Sequence, residues 1–236
     1  MSLQIEKEEK PIKTKFYYGW IILFMSALAF FFSGPGQTFS ISIFIDHYIA
    51  NFGWSRSLVS SLYSVGTLIS GLILTFMGQK IDKYGHRKMI VIISISLGIA
   101  AIWMSFVFNP VMLLIGFFLM RFFGQGSMSL WPQTLVPHWF KSKRGLAMSV
   151  LGIGGVIGAA VIPPLNNYLI NLLGMSNAWR FWTFALIFIM APLGWFFVRN
   201  RPENIGLKID GFNVEDENNI TKKFALKCIL VMIPGL

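Results

Sequence analysis

Six long apolar segments alternate with short polar connections along this chain of 236 residues. Each segment is close to or above the roughly 20 residues that a helix needs to cross a bilayer, so the pattern predicts six membrane-spanning helices. A further apolar segment begins near Phe224 and continues to Leu236, which predicts the start of a truncated seventh helix. The six predicted spans cover residues 16–45, 57–78, 88–108, 110–137, 145–170 and 180–198.

The polar stretches divide the chain into four predicted parts. Residues 1–15 form a polar N-terminal segment, and residues 16–199 contain the six spans. Residues 200–223 combine low hydrophobicity with charges of both signs, which predicts a cytoplasmic linker rather than another crossing. Residues 224–236 contain the start of the seventh helix.

The composition indicates a protein of the lipid bilayer. Hydrophobic residues make up 55% of the chain and charged residues 13%, whereas soluble domains carry about 25% charged residues. The net charge of +10 lies in short basic clusters between apolar segments, which fits an anionic membrane surface and argues against a nucleic-acid partner. Cys228 is the single cysteine, so no intrachain disulfide can form.

The Lys and Arg residues are distributed unequally between the two sides of the predicted spans. Of the 20, 17 fall in connections on the side of the N-terminus, whereas Arg56 and Arg180 fall on the other side. The remaining one, Arg121, lies within the fourth span. By the positive-inside rule, this distribution predicts a multi-pass protein of the cell membrane with its N-terminus in the cytoplasm.

The connection between the second and third spans is the densest group of charges in the first 140 residues. Its sequence, GQKIDKYGHRK, resembles the signature of the major facilitator superfamily between its second and third helices, Gly-x-x-x-Asp-Arg-x-Gly-Arg-Arg/Lys. Lys80 departs from the pattern, because the family usually has an apolar residue there. The resemblance implies that Asp82 and Arg87 belong to a charge network at a cytoplasmic gate. The matching residues are Gly78, Asp82, Lys83, Gly85, Arg87 and Lys88.

Five shorter motifs resemble the branch of this superfamily that contains monocarboxylate transporters and oxalate/formate antiporters. The resemblance extends to about Arg201 and implies the N-terminal half of a twelve-helix fold. In that branch, the charged residues that hold the substrate carboxylate come largely from the second half, so the main anion ligands are not expected in this chain. The motifs are YGW at 18–20, GWSR at 53–56, GQGS at 124–127, WFKSKRGLA at 139–147 and AWR at 178–180.

Four positions in the first three spans recur 88 residues later in the second three. An odd number of helices separates the two copies, so their orientations in the membrane are opposite. This predicts a 3+3 inverted repeat, which is the arrangement found within each half of the superfamily fold. The matched pairs are Gly36 with Gly124, Gln37 with Gln125, Arg56 with Arg144, and Gly66 with Gly154.

A positive charge near the middle of the fourth span is the strongest candidate for function. Burying an arginine at that depth costs a few kcal/mol, so Arg121 should face the protein interior or a water-filled cavity. Gln125 lies one helical turn further on, and Gln37 follows a helix-breaking Gly-Pro-Gly sequence in the first span. We predict that Gln37, Arg121 and Gln125 line a central cavity and take part in coupling. The alternative is a structural Arg121 that donates to carbonyls of a neighbouring helix.

Together these features predict a secondary transporter of small organic anions, of the monocarboxylate type, that works by alternating access. Its expected partners are a coupled proton or counter-anion and the missing C-terminal half. Two alternatives stay open: a six-helix protein that binds or regulates other membrane proteins, and a half-size transporter that works as a homodimer. The sequence has no phosphate-binding Gly-x-x-x-x-Gly-Lys-Ser/Thr motif and no evident catalytic triad or metal-ligand cluster. We therefore expect neither an enzyme nor a cofactor.

Overall fold

The computed structural model describes residues 16–210, which form six long helical spans joined by short turns. The predicted all-α bundle of six membrane-spanning helices is confirmed. The seventh apolar segment and the linker beyond residue 210 lie outside the described residues. The spans, numbered 1 to 6, are Gly19–Phe52, Arg56–Tyr84, His86–Ser105, Pro110–Trp139, Arg144–Leu173 and Met175–Phe197.

Spans 1 and 2 extend further than their hydrophobic pattern predicts. Span 1 continues beyond residue 45 to Phe52, and span 2 continues beyond residue 78 to Tyr84. Hydrophobicity marks the part of a helix that lies in hydrocarbon, whereas the backbone hydrogen bonds can continue into the polar layer. Asp46, in the added part of span 1, is exposed there and pairs with Arg56 at the start of span 2, with 2.7 Å between Oδ1 and Nη2.

Span 1 is broken in its middle. The α-helix Gly19–Phe32 is followed by a single 3₁₀ turn, Gly34–Gly36, and a second α-helix, Thr38–Phe52. Pro35 has no backbone N–H with which to continue the α-helical hydrogen bonds. Gln37 joins the two parts in an extended conformation, with φ −78° and ψ 154°. The Gly-Pro-Gly sequence predicts this irregular backbone, and the structure confirms it.

Spans 4 and 6 each contain a π-helical stretch between two α-helices. In span 4 the π-helix Arg121–Met128 lies between the α-helices Pro110–Met120 and Ser129–Trp139. The hydrophobic pattern assumes regular helices and predicts neither stretch. In span 6 the π-helix Ala185–Met190 lies between the α-helices Met175–Phe184 and Ala191–Phe197.

The packing of the spans follows the predicted repeat. Span 1 packs along span 5, span 4 packs along span 2, and span 3 packs along span 6, while spans 1 and 4 cross. Exchanging spans 1–3 with spans 4–6 leaves these pairings unchanged, as expected of an inverted repeat. Large aromatic side chains fill the interior of the bundle, and the fully buried ones include Phe44, Trp131, Trp139 and Trp179.

Spans 2 and 5 are the most exposed helices of the bundle. In the most apolar stretch of each helix, the buried share is 17% for span 2 and 28% for span 5, compared with 61% for span 1. The exposed residues include Leu68, Leu72 and Phe76 on span 2 and Val156 on span 5. Such apolar surfaces are suited to contact with lipid or with a further part of the protein.

The turn at Gly85, between spans 2 and 3, and the connection at 140–143, between spans 4 and 5, lie at the same end of the bundle, which we call the basic end. The chain that enters span 1 lies there too, because the Tyr17 hydroxyl donates a hydrogen bond to the carbonyl of Trp139. The same hydroxyl accepts a hydrogen bond from the backbone N–H of Asp210 (3.2 Å). Burial raises the pKa of Tyr17 to about 12, so the hydroxyl keeps its hydrogen at neutral pH.

The chain that follows span 6 folds back across the basic end. Asn200 Oδ1 accepts a hydrogen bond from the backbone N–H of Arg87 (2.8 Å). Ile205 is buried, and Asp210 pairs with Phe140 in a single β-bridge. The first part of the predicted linker is therefore docked on the bundle. We call residues 199–210 the docked segment.

Candidate functional site at the crossing of spans 1 and 4

The break in span 1 contacts the π-helix of span 4 backbone to backbone. A Cβ atom placed on Gly36 would lie 2.7 Å from Cα of Gly124, and a Cβ on Gly124 would lie equally close to Cα of Gly36. Real Cβ atoms do not approach so closely, so both positions require glycine. This approach brings the polar residues that follow Gly36 within hydrogen-bonding distance of span 4.

Gln37 joins the broken part of span 1 to span 4. Its Nε2 donates to Oγ of Ser33 (3.0 Å) and to Oγ of Ser129 (3.0 Å). Ser33 in turn donates to the carbonyl of Phe30 (2.7 Å). Both amide hydrogens of Gln37 are thus used within the protein. Its Oε1 accepts no hydrogen bond from residues 16–210, so this oxygen can accept from water or another donor, whereas Gln37 has no N–H left for a carboxylate.

Arg121 is half-buried beside this junction. Its Nη1 donates to Oγ1 of Thr38 (3.1 Å), and its guanidinium carbon lies 5.3 Å from the ring centroid of Tyr63 on span 2. An arginine over an aromatic face gains a cation–π attraction. Within the described chain its partners are therefore side chains, not the backbone carbonyls that a purely structural role would use.

Thr38 connects three residues of the cluster through one hydroxyl group. It accepts from Arg121 and from the Tyr63 hydroxyl (3.2 Å), and it donates to Oε1 of Gln125 (3.4 Å). Thr38 and Tyr63 are not among the predicted site residues. Thr38 adjoins Gln37 in sequence, which is a weak signal, whereas the position of Tyr63 depends on how span 2 packs against span 4.

The π-helical geometry of span 4 shapes the donor side of the cluster. The Ser127 hydroxyl donates to the carbonyl of Phe122, five residues earlier (2.7 Å), and so satisfies an acceptor in the widened turn. Interruptions of this kind occur frequently at functional sites. Here the π-helix begins at Arg121 itself and includes Gln125, the two predicted cavity residues of this span.

A second polar network lies deeper in the bundle and is uncharged. Asn166 on span 5 donates from Nδ2 to Oγ of Ser40 on span 1 (2.7 Å). Its Oδ1 accepts from the indole N–H of Trp182 on span 6 (2.7 Å). All three residues are buried, and Asn166 has no exposed surface. We assign this network to fixing spans 1, 5 and 6 relative to one another.

The signature segment, residues 78–88 at the basic end, contacts span 6 and the docked segment. Gly85 turns the chain with a positive φ of 81°, and a Cβ there would lie 2.9 Å from Nδ2 of Asn200. Nε of Arg87 donates to the backbone carbonyl of Trp195 (2.8 Å). The guanidinium carbon of Arg87 lies 4.7 Å from the centroid of the Trp195 ring. These contacts hold Arg87 against span 6.

The other residues of the signature are more peripheral. Asp82 is exposed and forms no ion pair with Arg87 or with another residue of the described part of the chain. The Lys83 ammonium lies 5.6 Å from the ring centroid of Tyr84, and Lys88 is exposed. A Cβ atom placed on Gly78 would lie 4.0 Å from Leu130 of span 4, so the packing there does not require glycine. The charge network of a cytoplasmic gate stays a prediction.

Two histidines connect the signature segment to span 4, and no sequence pattern indicates that they pair. The rings of His86 and His138 lie 5.2 Å apart, edge to face. The Thr134 hydroxyl gives its hydrogen to the carbonyl of Trp131 (2.8 Å), so Nε2 of His86 donates to Thr134 (3.2 Å). The indole of Trp131 donates to the carbonyl of His86 (2.8 Å). The start of span 3 is thereby fixed to span 4.

The fold and this site define a multi-pass membrane protein whose central helices cross at a charged, hydrogen-bonded cluster. Residues 19–226 match the Major Facilitator Superfamily, so the chain belongs to that family. The predicted resemblance is confirmed at this level, and the six spans fit the N-terminal six-helix bundle of the family fold.

Two curated relatives match this chain, and the name of the first identifies it as a transporter of this family. The chain is 24% identical over 188 residues to the Ascochitine biosynthesis cluster MFS transporter of Didymella fabae, which covers 78% of this chain and 34% of the relative. It is 25% identical over 202 residues to the Multidrug resistance protein MdtG of Yersinia enterocolitica, which covers 80% of this chain and 44% of the relative. The chain thus matches less than half the length of either relative. Family and relatives support a transporter rather than an enzyme.

Proposed function

We propose that the full-length protein is a secondary active transporter of small organic anions, of the monocarboxylate type, that works by alternating access. The observation that carries the proposal is that Arg121 has hydrogen-bond donors that no described residue uses. Its guanidinium is half-buried where spans 1 and 4 cross, and within residues 16–210 it donates a hydrogen bond through Nη1 alone. Its Nε and Nη2 donors are therefore available to a carboxylate, which matches the guanidinium fork with two parallel hydrogen bonds.

A single charge favours a single carboxylate. Among the described residues, Arg121 is the cation that lies away from the ends of the spans, so one bound carboxylate would neutralise the site. The resemblance of the five short motifs to the monocarboxylate and oxalate/formate branch supports the same substrate class. The name of the Yersinia relative suggests drug-like substrates for that protein. Drug transport is therefore the alternative that a transport assay has to distinguish from carboxylate transport.

A second group of six spans would complete the transporter. Spans 2 and 5 have the most exposed apolar surfaces of the bundle, and the relatives extend well beyond the matched region. We propose that these two spans contact the second half, and that residues there supply the main ligands for the substrate anion. A half-size protein working as a homodimer would use the same surfaces, so it remains the alternative architecture.

We also propose that the basic end faces the cytoplasm of a cell membrane. The excess of Lys and Arg in its connections supports this orientation. Asp82 is exposed there and can pair with a cation of the second half, whereas Arg87 is held by span 6. In this arrangement Asp82 belongs to the cytoplasmic gate. A proton or a counter-anion would drive uptake.

Reconstitution of the purified full-length protein in vesicles tests this function. We expect saturable uptake of labelled acetate or lactate, driven by either an imposed proton gradient or a preloaded anion. Unlabelled monocarboxylates should compete with uptake, and a cationic drug such as ethidium should not. Ethidium transport without carboxylate transport would contradict the proposed substrate class. Loss of both activities in correctly folded protein would favour the regulatory alternative.

A further inference from the structure

The hydroxyl group of Thr38 has no spare hydrogen-bonding capacity. Arg121 can only donate, so the Thr38 oxygen accepts from its Nη1, and it also accepts from the Tyr63 hydroxyl. Its hydrogen is donated to Oε1 of Gln125. One hydrogen and two lone pairs are thus all used inside the protein. We infer that Thr38 is a positioning residue that holds Arg121 and Gln125 for a substrate carboxylate, and that it is not itself a ligand.

The inference rests on the proposed function and explains how Arg121 is held for it. Thr38 fixes one terminal nitrogen of the guanidinium, and the ring of Tyr63 supports its face. The opposite edge, formed by Nε and Nη2, has no hydrogen-bond partner among residues 16–210. This is the edge that binds a carboxylate side-on through two hydrogen bonds. Arg121 is therefore oriented before a substrate arrives.

Thr38 also determines which end of the Gln125 amide is left for a substrate. Because the Thr38 hydrogen is donated to Oε1, the amide nitrogen of Gln125 points away from Thr38. This nitrogen donates to no other described side chain or carbonyl. Arg121 and Gln125 then both present N–H donors. Such a pair favours a carboxylate, whose oxygens only accept, over a carboxamide, which carries donors of its own.

Variants of Thr38 distinguish the effect of its hydroxyl group from the effect of its branched shape. Thr38→Val keeps the branched shape but frees both Arg121 and Gln125, so KM for a monocarboxylate should rise about tenfold with little change in kcat, as expected for lost binding. Thr38→Ser keeps the hydroxyl, so its KM should stay within about threefold of the wild-type value. Tyr63→Phe keeps the ring and removes one hydrogen bond, and should have a smaller effect than Thr38→Val.

The decisive measurement compares a monocarboxylate with its uncharged carboxamide as competitors of labelled substrate, in vesicles containing the full-length transporter. Wild type and Thr38→Ser should prefer the acid, and Thr38→Val should lose about tenfold of that preference. Thr38→Ala provides a second hydroxyl-free variant in case valine is not accommodated, and unfolding temperatures verify that each variant is folded.

Two results would overturn the assignment of Thr38. An unchanged acid preference in both hydroxyl-free variants would show that the hydroxyl does not position Arg121. Equal weakening of acid and amide would show a structural role only. A wild-type protein without acid preference would instead overturn the proposed function, and the role of Thr38 with it.

Discussion

Gly36 of span 1 and Gly124 of span 4 occupy equivalent positions of the inverted repeat and contact each other in the folded protein. A side chain on either residue would collide with the backbone of the other. The two copies of the repeat therefore meet at this point. The contact allows Gln37 and Thr38 to reach span 4, so the polar cluster depends on the absence of two side chains.

The Gly124→Ala variant should be less stable than the wild type. Its added methyl group would lie 2.7 Å from Cα of Gly36, and relieving such an overlap costs about 1–3 kcal/mol. The unfolding temperature of the purified full-length protein measures the effect. Gly152→Ala is the control, because a Cβ on Gly152 meets nothing within 4 Å. Equal stability of the two variants would contradict the proposed requirement for glycine.

The Arg121→Lys variant should insert normally and lose most carboxylate uptake. Lysine keeps the charge but lacks the planar fork, so it cannot contact Thr38 and a carboxylate with the same geometry. Uptake is measured in vesicles at matched protein levels, with the proton gradient varied. Arg180→Lys is the control, since Arg180 is exposed at a span end and bonds to Asn177 of its own helix. Uptake at the wild-type rate by the Arg121→Lys variant would show that Arg121 has a structural role.

The Asn166→Ala variant should destabilise the bundle without removing a charge. Ser40 and Trp182 would each lose a buried hydrogen-bond partner, and a buried group left unsatisfied costs about 1–3 kcal/mol. Thermal unfolding measures the loss. Asn167→Ala gives a neighbouring control, because Asn167 is exposed on the same helix. If both variants unfold at the same temperature, the buried network does not contribute to stability.

Cysteine labelling in a Cys228→Ser background should establish the orientation. Tyr84 and Ser142 are exposed at the basic end, and Asn51 is exposed at the other end of span 1. Cysteines at 84 and 142 should react with a membrane-impermeant maleimide from the cytoplasmic side, and a cysteine at 51 from the outside. Labelling of position 84 from the outside would contradict the proposed orientation.

The spans and the repeat could be predicted from the sequence because both depend on local patterns. Apolar length determines where a helix can cross a bilayer. Pro35 determines where span 1 is interrupted, because no neighbouring structure can supply its missing N–H. The span ends were less predictable, since helices such as that ending at Tyr84 continue into the polar layer.

The hydrogen-bond partners in the site could not be predicted, because they depend on how the helices pack. Thr38, Tyr63 and Asn166 are ordinary polar residues in apolar segments, and their partners lie on other spans. The π-helix that begins at Arg121 also changes the helical phase of span 4, which periodicity with 3.6 residues per turn does not reveal. Arg121 was identifiable because a charge at membrane depth is itself unusual.

Docking of residues 199–210 shortens the connection between this bundle and the part of the protein that follows. Asp210 is fixed beside Tyr17 and Phe140, so a following domain starts from a defined point below the bundle. In the proposed twelve-span protein, the docked segment takes up the first part of the predicted linker 200–223 and leaves residues 211–223 to reach the second half. Loop closure then costs less entropy by about 0.5 kcal/mol, because that cost grows with the logarithm of loop length. The docked segment thus raises the local concentration of one half of the transporter around the other.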